Sequence, residues 1–322
     1  MTSLPTRTFG RTGYEVSPLC IGTSSWGRTR SGETEEQGDA RIAEIASSWA
    51  SGSIGLNFLD TSNEYGGARS ELLIGRGVAG AGAVVDGELS GGLVLQTKLD
   101  RDVATGDFSA DRMWRSLEET LERLGLDRLQ ILHLHDPDSI GFDAAMADDG
   151  PVSALVAMKE QGLAASIGIS GGPVGMLQQF VETDLFDALI THNRYTILDR
   201  SASDLFDAAT SRGLGITNAA PYGAGILTGD PRFAGTYGYR PITPEAAEAF
   251  EAVRLLCDEY GVPLAAAALQ FSLREPRIHS TVVGVSSLPR LESAIDDAQL
   301  VIPDDLWAAI EDVVPEGIAL DA

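Results

Sequence analysis

The chain is poor in thiols, aromatic rings and basic groups. Its two cysteines, Cys20 and Cys257, lie far apart in dissimilar segments, so buried free thiols are expected rather than a disulfide. Lysine and arginine number 23 against 47 aspartates and glutamates, a net charge of −24. A surface so negative repels phosphate backbones and anionic lipids at long range, which argues against nucleic acid or a membrane as partner. No apolar run reaches the roughly 18 residues of a membrane span, and residues 1–7 lack the apolar stretch of a secretory signal. A soluble, cytoplasmic protein is expected.

What is present suits a large core: 43% of the 322 residues are hydrophobic. The length exceeds the usual domain of roughly 100–200 residues, but α/β barrels run to about 250 or more as one unit. Short apolar runs alternate with amphipathic stretches, as in repeated strand-helix units. Strands are predicted over 19–23, 55–60, 93–98, 129–135, 165–170, 187–191, 215–219 and 281–285, and eight strands close a barrel. Helices are predicted over 39–51, 70–78, 110–124, 152–160, 173–181, 201–211, 244–260 and 288–297. Ser109 before one helix, Gly125 and Gly162 after two others, and Pro244 following Thr243 supply start and stop signals. Residues 8–18 read as a hairpin that plugs the N-terminal end, and one more helix is predicted over 304–313. Residues 138–151 and 228–243 read as long loops of the kind that bind ligands. The fold class expected is α/β: one (β/α)8 TIM-barrel domain over 1–322, with an N-terminal β-hairpin plug and an extra C-terminal helix.

Four polar residues stand where strand-like runs meet loops: Asp60 and Tyr65 in GLNFLDTSNEYG (55–66), Lys98 closing LVLQTK (93–98), and His135 closing LQILHLHDPD (129–138). A phenol titrates near pH 10, so at neutral pH it needs a cation beside it to act as a base. Lys98 approaching Tyr65 favours phenolate, and Asp60 keeps a desolvated Lys98 charged. Taken singly, each of these residues is an ordinary cap, packing residue or strand terminus; their joint position at successive strand ends suits proton transfer at a carbonyl or alcohol. A rival pattern is His133-x-His135, since i, i+2 spacing puts both imidazoles on one face of a strand, as in the metal pair of barrel hydrolases. Further ligands are hard to find, with only His192 and His279 left, and no metal is expected.

The hairpin followed by LCIGTSSWG (19–27), NFLDTSNEYGGARSELLIG (57–75), LQTK (95–98), RSLEETLERLGLDRLQILHLHDPD (115–138), ASIGIS (165–170), NRYTILDRSA (193–202), GILTG (225–229) and VVGVSSLPRLESA (282–294) resembles the aldo-keto reductases over nearly the whole chain. Within that superfamily the chain is most similar to the aldose 1-dehydrogenase, fucose dehydrogenase and pyridoxal 4-dehydrogenase group. The resemblance implies hydride transfer to or from nicotinamide C4, with Asp60, Tyr65, Lys98 and His135 as the catalytic set. It places Gly22, Thr23 and Ser24 at the nicotinamide ribose, with Asp60 also among the cofactor contacts, and Ser170 at the carboxamide. Gly171 stands where an asparagine is usual, His192 where a carboxamide-binding glutamine is usual, and Ala219 where a tyrosine stacks on the nicotinamide. Tyr222 is then the ring available for stacking. Pyrophosphate falls to the Gly-rich stretch with Pro221, Tyr222, Gly223, Gly225 and Leu227, whose backbone N–H groups can approach phosphate. Ser286 and Arg290 fall at the adenosine phosphate. Gly284 replaces a lysine of many NADP-specific members and Ala294 an adenine-binding asparagine, so NAD and NADP both stay open with a lean to NAD. Trp26, Tyr65, His135, Asp136 and Arg194 would line a pocket for a sugar, aldehyde or pyridoxal-like small molecule. An NADPH-dependent aldehyde or ketone reductase and a nicotinamide-sensing binding subunit are the competing readings.

Overall fold

In a computed structural model, which describes residues 4–314 and 317–318, the eight expected strands form a closed parallel barrel. They are β1 Leu19–Gly22, β2 Phe58–Asp60, β3 Val94–Leu99, β4 Leu129–His135, β5 Ala164–Gly171, β6 Ala188–His192, β7 Gly215–Ala219 and β8 Ser280–Gly284. Each pairs with the next in chain order, and β8 returns to β1 with Gly284 opposite Gly22. Side chains alternate along a strand, so Phe58 and Asp60, then Val94, Gln96 and Lys98, then Ile131, His133 and His135 share a face. The lumen therefore changes character along its axis. Phe9, Cys20, Phe58, Val94 and Ile131 make an apolar floor. Above it Gln96 donates to Asp60 at 3.0 Å and lies 3.3 Å from His133. Lys98 and His135 come last, at the C-terminal mouth.

The floor is closed from outside by the N-terminal hairpin, Arg7–Thr8 paired with Glu15–Val16. Phe9, fully buried, sits edge-on to Phe58 with ring centroids 5.4 Å apart. A Cβ at residue 215 would lie 2.5 Å from that ring, which is why β7 begins with Gly215. The plug expected from residues 8–18 is thus built around one phenyl group.

Helices pack outside the barrel: α1 Glu35–Ala50, α2 Arg69–Ala81, α3 Ala110–Leu124, α4 Pro151–Glu160, α5 Val174–Glu182, α6 Ser203–Ser211, α7 Pro244–Tyr260, α8 Leu264–Leu273, α9 Leu288–Gln299 and α10 Asp304–Val313. Ser109 and Thr243 accept the N–H groups of Arg112 and Ala246 as N-caps, and Gly125 ends α3 in the left-handed region. Helix α1 starts four residues before the predicted 39, because Thr34 and Gln37 form a reciprocal capping box. Helix α8 was not predicted. Its sequence is apolar on every side, so it shows no amphipathic period, and its residues are mostly buried. The two long loops also carry structure. Residues 138–151 hold a short helix, Phe142–Ala145, and residues 228–243 hold a hairpin, Thr236–Tyr237 with Arg240–Pro241. A further hairpin, Val84–Val85 with Glu88–Leu89, was likewise unpredicted. Cys20 and Cys257 are both buried free thiols. Among the described residues, no helix is long and apolar enough to cross a membrane.

Candidate active site

Lys98 is the centre of the mouth. Its side chain and that of Asp60 are 2% and 6% exposed. The ammonium lies 2.8 and 3.0 Å from the two Asp60 carboxylate oxygens, 2.7 Å from the Thr61 carbonyl and 3.1 Å from Tyr65 Oη. An ammonium only donates, so the phenol oxygen accepts from Lys98 and keeps its own proton to give. Burial opposes the Lys98 charge, but Asp60 and Tyr65 outweigh it and hold the ammonium more firmly than usual. The loop bringing Tyr65 back over the strand end is tight: Gly66 has φ +64°, and a Cβ there would collide with the Trp26 carbonyl at 1.9 Å.

One expectation is reversed here. Burial raises the Tyr65 pKa, Lys98 lowers it, and Asp60 raises it again, with a net shift upward. Lys98 is already neutralised by Asp60, so its field at the phenol is partly cancelled. In this state Tyr65 is a held phenol, a proton donor, rather than a phenolate.

His135 completes the set, edge-on to Tyr65 with centroids 5.8 Å apart. Its Nδ1 lies 2.6 Å from Asp100 Oδ1, and its Nε2 lies 3.8 Å from Asp136 Oδ2. Burial disfavours the imidazolium, yet Asp100 and then Asp136 prevail and raise its pKa. Asp100 was missed in the sequence, although its place two residues after Lys98 puts it on the same side of the chain. His133 takes no part in the mouth: it is fully buried one layer below, and burial drives its pKa well down.

Asp136 has φ +45° and a side chain 46% exposed, and its Oδ1, 3.9 Å from His192 Nε2, has no hydrogen-bond partner. Burial disfavours its charge, but His192 and His135 pull its pKa down to about 2. A Cβ on residue 172 would touch His192 at 3.0 Å and Arg194 at 3.6 Å, so Gly172 leaves these two groups together beside Asp136. The guanidinium of Arg194 is buried and lies 3.5 Å from the His192 carbonyl. Ser170, next to last in β5, lies opposite His135. This half of the mouth carries both charges and one buried, unpaired acceptor.

Other expected contacts are placed differently. Trp26 is fully buried and donates its indole N–H to the Val285 carbonyl at 2.9 Å, so it packs behind the site instead of lining it. Thr23 is fully buried, and its hydroxyl is spent on the Asp60 carbonyl at 2.9 Å and on Ser70 at 2.7 Å. Ser24 is exposed just beyond β1, and Gly22 and Gly284 pair across the barrel seam. Tyr222, half-buried, packs against two core clusters. Following the buried Pro221, the N–H groups of Gly223, Gly225 and Leu227 are already donated within the turn, two of them to the Tyr222 carbonyl. Phe233 and Tyr237 press on Gly225 and Gly223 from the 228–243 loop. The segment is therefore a closed turn, and phosphate capture by those three N–H groups requires the loop to shift.

Ser286 and the exposed Arg290 stand where expected, after β8 and in the first turn of α9. Two cations not foreseen converge on Ser286: Arg30 reaches its carbonyl and hydroxyl, each at 3.0 Å, and Arg41 also donates to the carbonyl. Arg41 is held by Glu33 through two 2.8 Å bonds. These arginines come from the β1–α1 segment, and only the closed barrel brings them to β8.

Comparison with known proteins agrees with the geometry. L-galactose dehydrogenase of Arabidopsis thaliana is 31% identical over 300 residues, covering 92% of this chain and 88% of that protein. Pyridoxal 4-dehydrogenase of Microbacterium luteolum is 25% identical over 94% of this chain and 96% of that protein. D-threo-aldose 1-dehydrogenase of a Pseudomonas species is 33% identical over a shorter stretch, 63% of this chain and 62% of that protein. An aldo-keto reductase of Bacillus halodurans, solved in its holo form, superposes with a TM-score of 0.76 at 18% identity over 98% of both chains. The model of the aldo/keto reductase family matches residues 18–315, and the chain is an oxidoreductase of that family.

Proposed function

We propose that this protein oxidises the hydroxyl-bearing carbon of a small sugar-like substrate, or reduces the matching carbonyl, with Tyr65 as the general acid and base. The observation that carries the reading is the 3.1 Å contact between Lys98 Nζ and Tyr65 Oη inside a sealed ion pair with Asp60. A bound nicotinamide dinucleotide supplies the hydride acceptor or donor. Ser170 and His192 would hold its carboxamide end, and Arg290 and Arg30 its adenosine end. In reduction, Tyr65 gives its proton to the carbonyl oxygen as the carbon receives hydride, and Lys98 stabilises the phenolate left behind. In oxidation the same phenolate takes the hydroxyl proton as hydride leaves the carbon. Asp136 and Arg194 are the groups that would meet the remaining substrate hydroxyls, and L-galactose, D-threo-aldoses and pyridoxal are the compounds that the relatives' names suggest.

The upward shift of Tyr65 has a directional consequence. Reduction uses the phenol as found and should be flat across neutral pH, whereas oxidation needs the proton removed first and should accelerate as pH rises. The same observation favours a second reading, an aldehyde or ketone reductase. Initial rates in both directions, with NAD and NADP, over L-galactose, L-fucose, pyridoxal and a simple aldehyde choose between them. Fluorescence titration showing no binding of either dinucleotide would refute both.

A further inference from the structure

Asp100 is a carboxylate at the mouth that the reaction drawn above does not use. It lies just past the end of β3, 6% exposed, and its two oxygens serve two different elements. Oδ1 accepts the Nδ1–H of His135 at 2.6 Å. Oδ2 accepts the Ser62 hydroxyl and the Glu64 N–H, the latter at 3.0 Å, both on the loop that carries Tyr65. From behind, helix α3 fixes Asp100 itself: its N–H donates to Ser116 Oγ at 3.2 Å, and its carbonyl accepts from Arg112 Nε at 3.2 Å.

We propose that Asp100 is a positioning residue, a single carboxylate that ties His135 to the Tyr65 loop and turns the imidazole so that a protonated Nε2 stands beside the phenol. A substrate oxygen then meets two donors whose separation is set by one residue. The proposal rests on the hydride-transfer reading of the same site.

The geometry leaves little choice of ring state. An ionised carboxylate only accepts, so Nδ1 must carry a proton at 2.6 Å. Whether Nε2 is also protonated depends on the charges around the ring. Burial and, more weakly, Lys98 oppose the imidazolium; Asp100 and then Asp136 favour it, while His133, buried and neutral, adds no charge. Tyr65 lies edge-on as a neutral ring, and Glu64 repels Asp100 from behind without touching the imidazole. The two carboxylates, at 2.6 and 3.8 Å, prevail. An imidazolium donor aimed at a developing oxyanion in an enclosed site stabilises it more than a neutral one.

The test uses the whole protein and two readouts. The chain has four histidines, so side-chain 15N spectra identify His135 by comparison with His135→Asn. In the wild type its titration midpoint should lie above that of an ordinary imidazole. In Asp100→Asn the titration midpoint should move to lower pH, kcat on the best substrate should fall about 100-fold with a smaller change in KM, and the pH–rate profile should move with the midpoint. A wild-type His135 whose midpoint is no higher than that of an ordinary imidazole overturns the proposal, and that titration needs no folded Asp100 variant. So does an Asp100→Asn protein whose midpoint and pH profile are unchanged. If the spectra behave as expected but no dinucleotide-dependent turnover exists, the hydride-transfer reading fails and takes the positioning role with it, while the Asp100–His135 pair stands.

Discussion

The chain has two lysines, and they occupy opposite ends of the barrel. Lys159, at the end of α4, reaches Asp187 at the N-terminal end at 2.5 Å; its side chain is 37% exposed, and Asp187 also accepts from Arg11 and from the Ile167 N–H. Lys98, at the C-terminal mouth, is sealed with Asp60, and its remaining contacts are a carbonyl and a phenol. Both are lysine-aspartate pairs of similar length. The lower one shares its charge with water and ties plug, helix and strand together. The upper one is enclosed where the effective dielectric is low, and besides Asp60 the titratable group it touches is Tyr65. Enclosure and the third partner, not the ion pair itself, separate chemistry from glue.

Methionine at each lysine breaks this comparison most sharply. Lys98→Met leaves Asp60 charged and buried without a cation, which should cost about 3–5 kcal/mol of stability and abolish turnover. Lys159→Met removes a half-exposed pair and should cost about 1 kcal/mol or less, with turnover intact. Urea unfolding monitored by circular dichroism, together with initial rates, measures both. Equal stability losses would show that exposure does not distinguish the two ends.

Tyr65→Phe sharpens the upper half of the comparison by removing only the titratable neighbour. The Lys98–Asp60 pair survives, so stability should change little, while turnover should fall about 100- to 10,000-fold. Dinucleotide affinity, read by fluorescence titration, should be nearly unchanged. A variant that turns over within a few-fold of the wild type removes the phenol from the mechanism.

How much of this was legible beforehand depended on whether the deciding interaction was local. Asp60, Lys98 and His135 each close an apolar run, so period and punctuation alone located them, and the count of such runs implied a barrel. The start of α1 was misplaced because Thr34 and Gln37 cap it from a polar stretch, and α8 escaped because a helix apolar all round has no phase. The Gly-rich stretch at 223–227 looked like an open cradle; only the folded 228–243 loop, with Tyr237 buried against Thr196 at 2.6 Å, shows its N–H groups turned inward. Arg30 and Arg41 meet Ser286 across some 250 residues of sequence, a juxtaposition no local pattern carries. The direction of the Tyr65 shift was missed for a related reason: proximity to Lys98 is readable from strand ends, but desolvation depends on everything that surrounds them.

A third buried charge, outside the lumen, gives the smallest effect and extends the same contrast. Glu71 on α2 is fully enclosed; it accepts from Thr97 Oγ1 at 2.8 Å, from Thr120 Oγ1 at 2.9 Å and from Arg123 at 3.3 Å. Burial outweighs those partners and raises its pKa to about 7. Unlike Asp60, it meets its cation through a single 3.3 Å contact, and that cation also serves the Asn63 carbonyl on the Tyr65 loop. Because the folded state holds the Glu71 proton more tightly than the unfolded chain does, its contribution is complete below about pH 4.5 and is lost as pH rises through about 7. The loss amounts to about 3 kcal/mol at most. Glu71→Gln cannot ionise, so the stability of the wild type relative to this variant should decline from pH 5 to pH 8, as followed by thermal melts. A difference that stays constant over that range would mean Glu71 is charged throughout, with Arg123 pairing it as closely as Lys98 pairs Asp60.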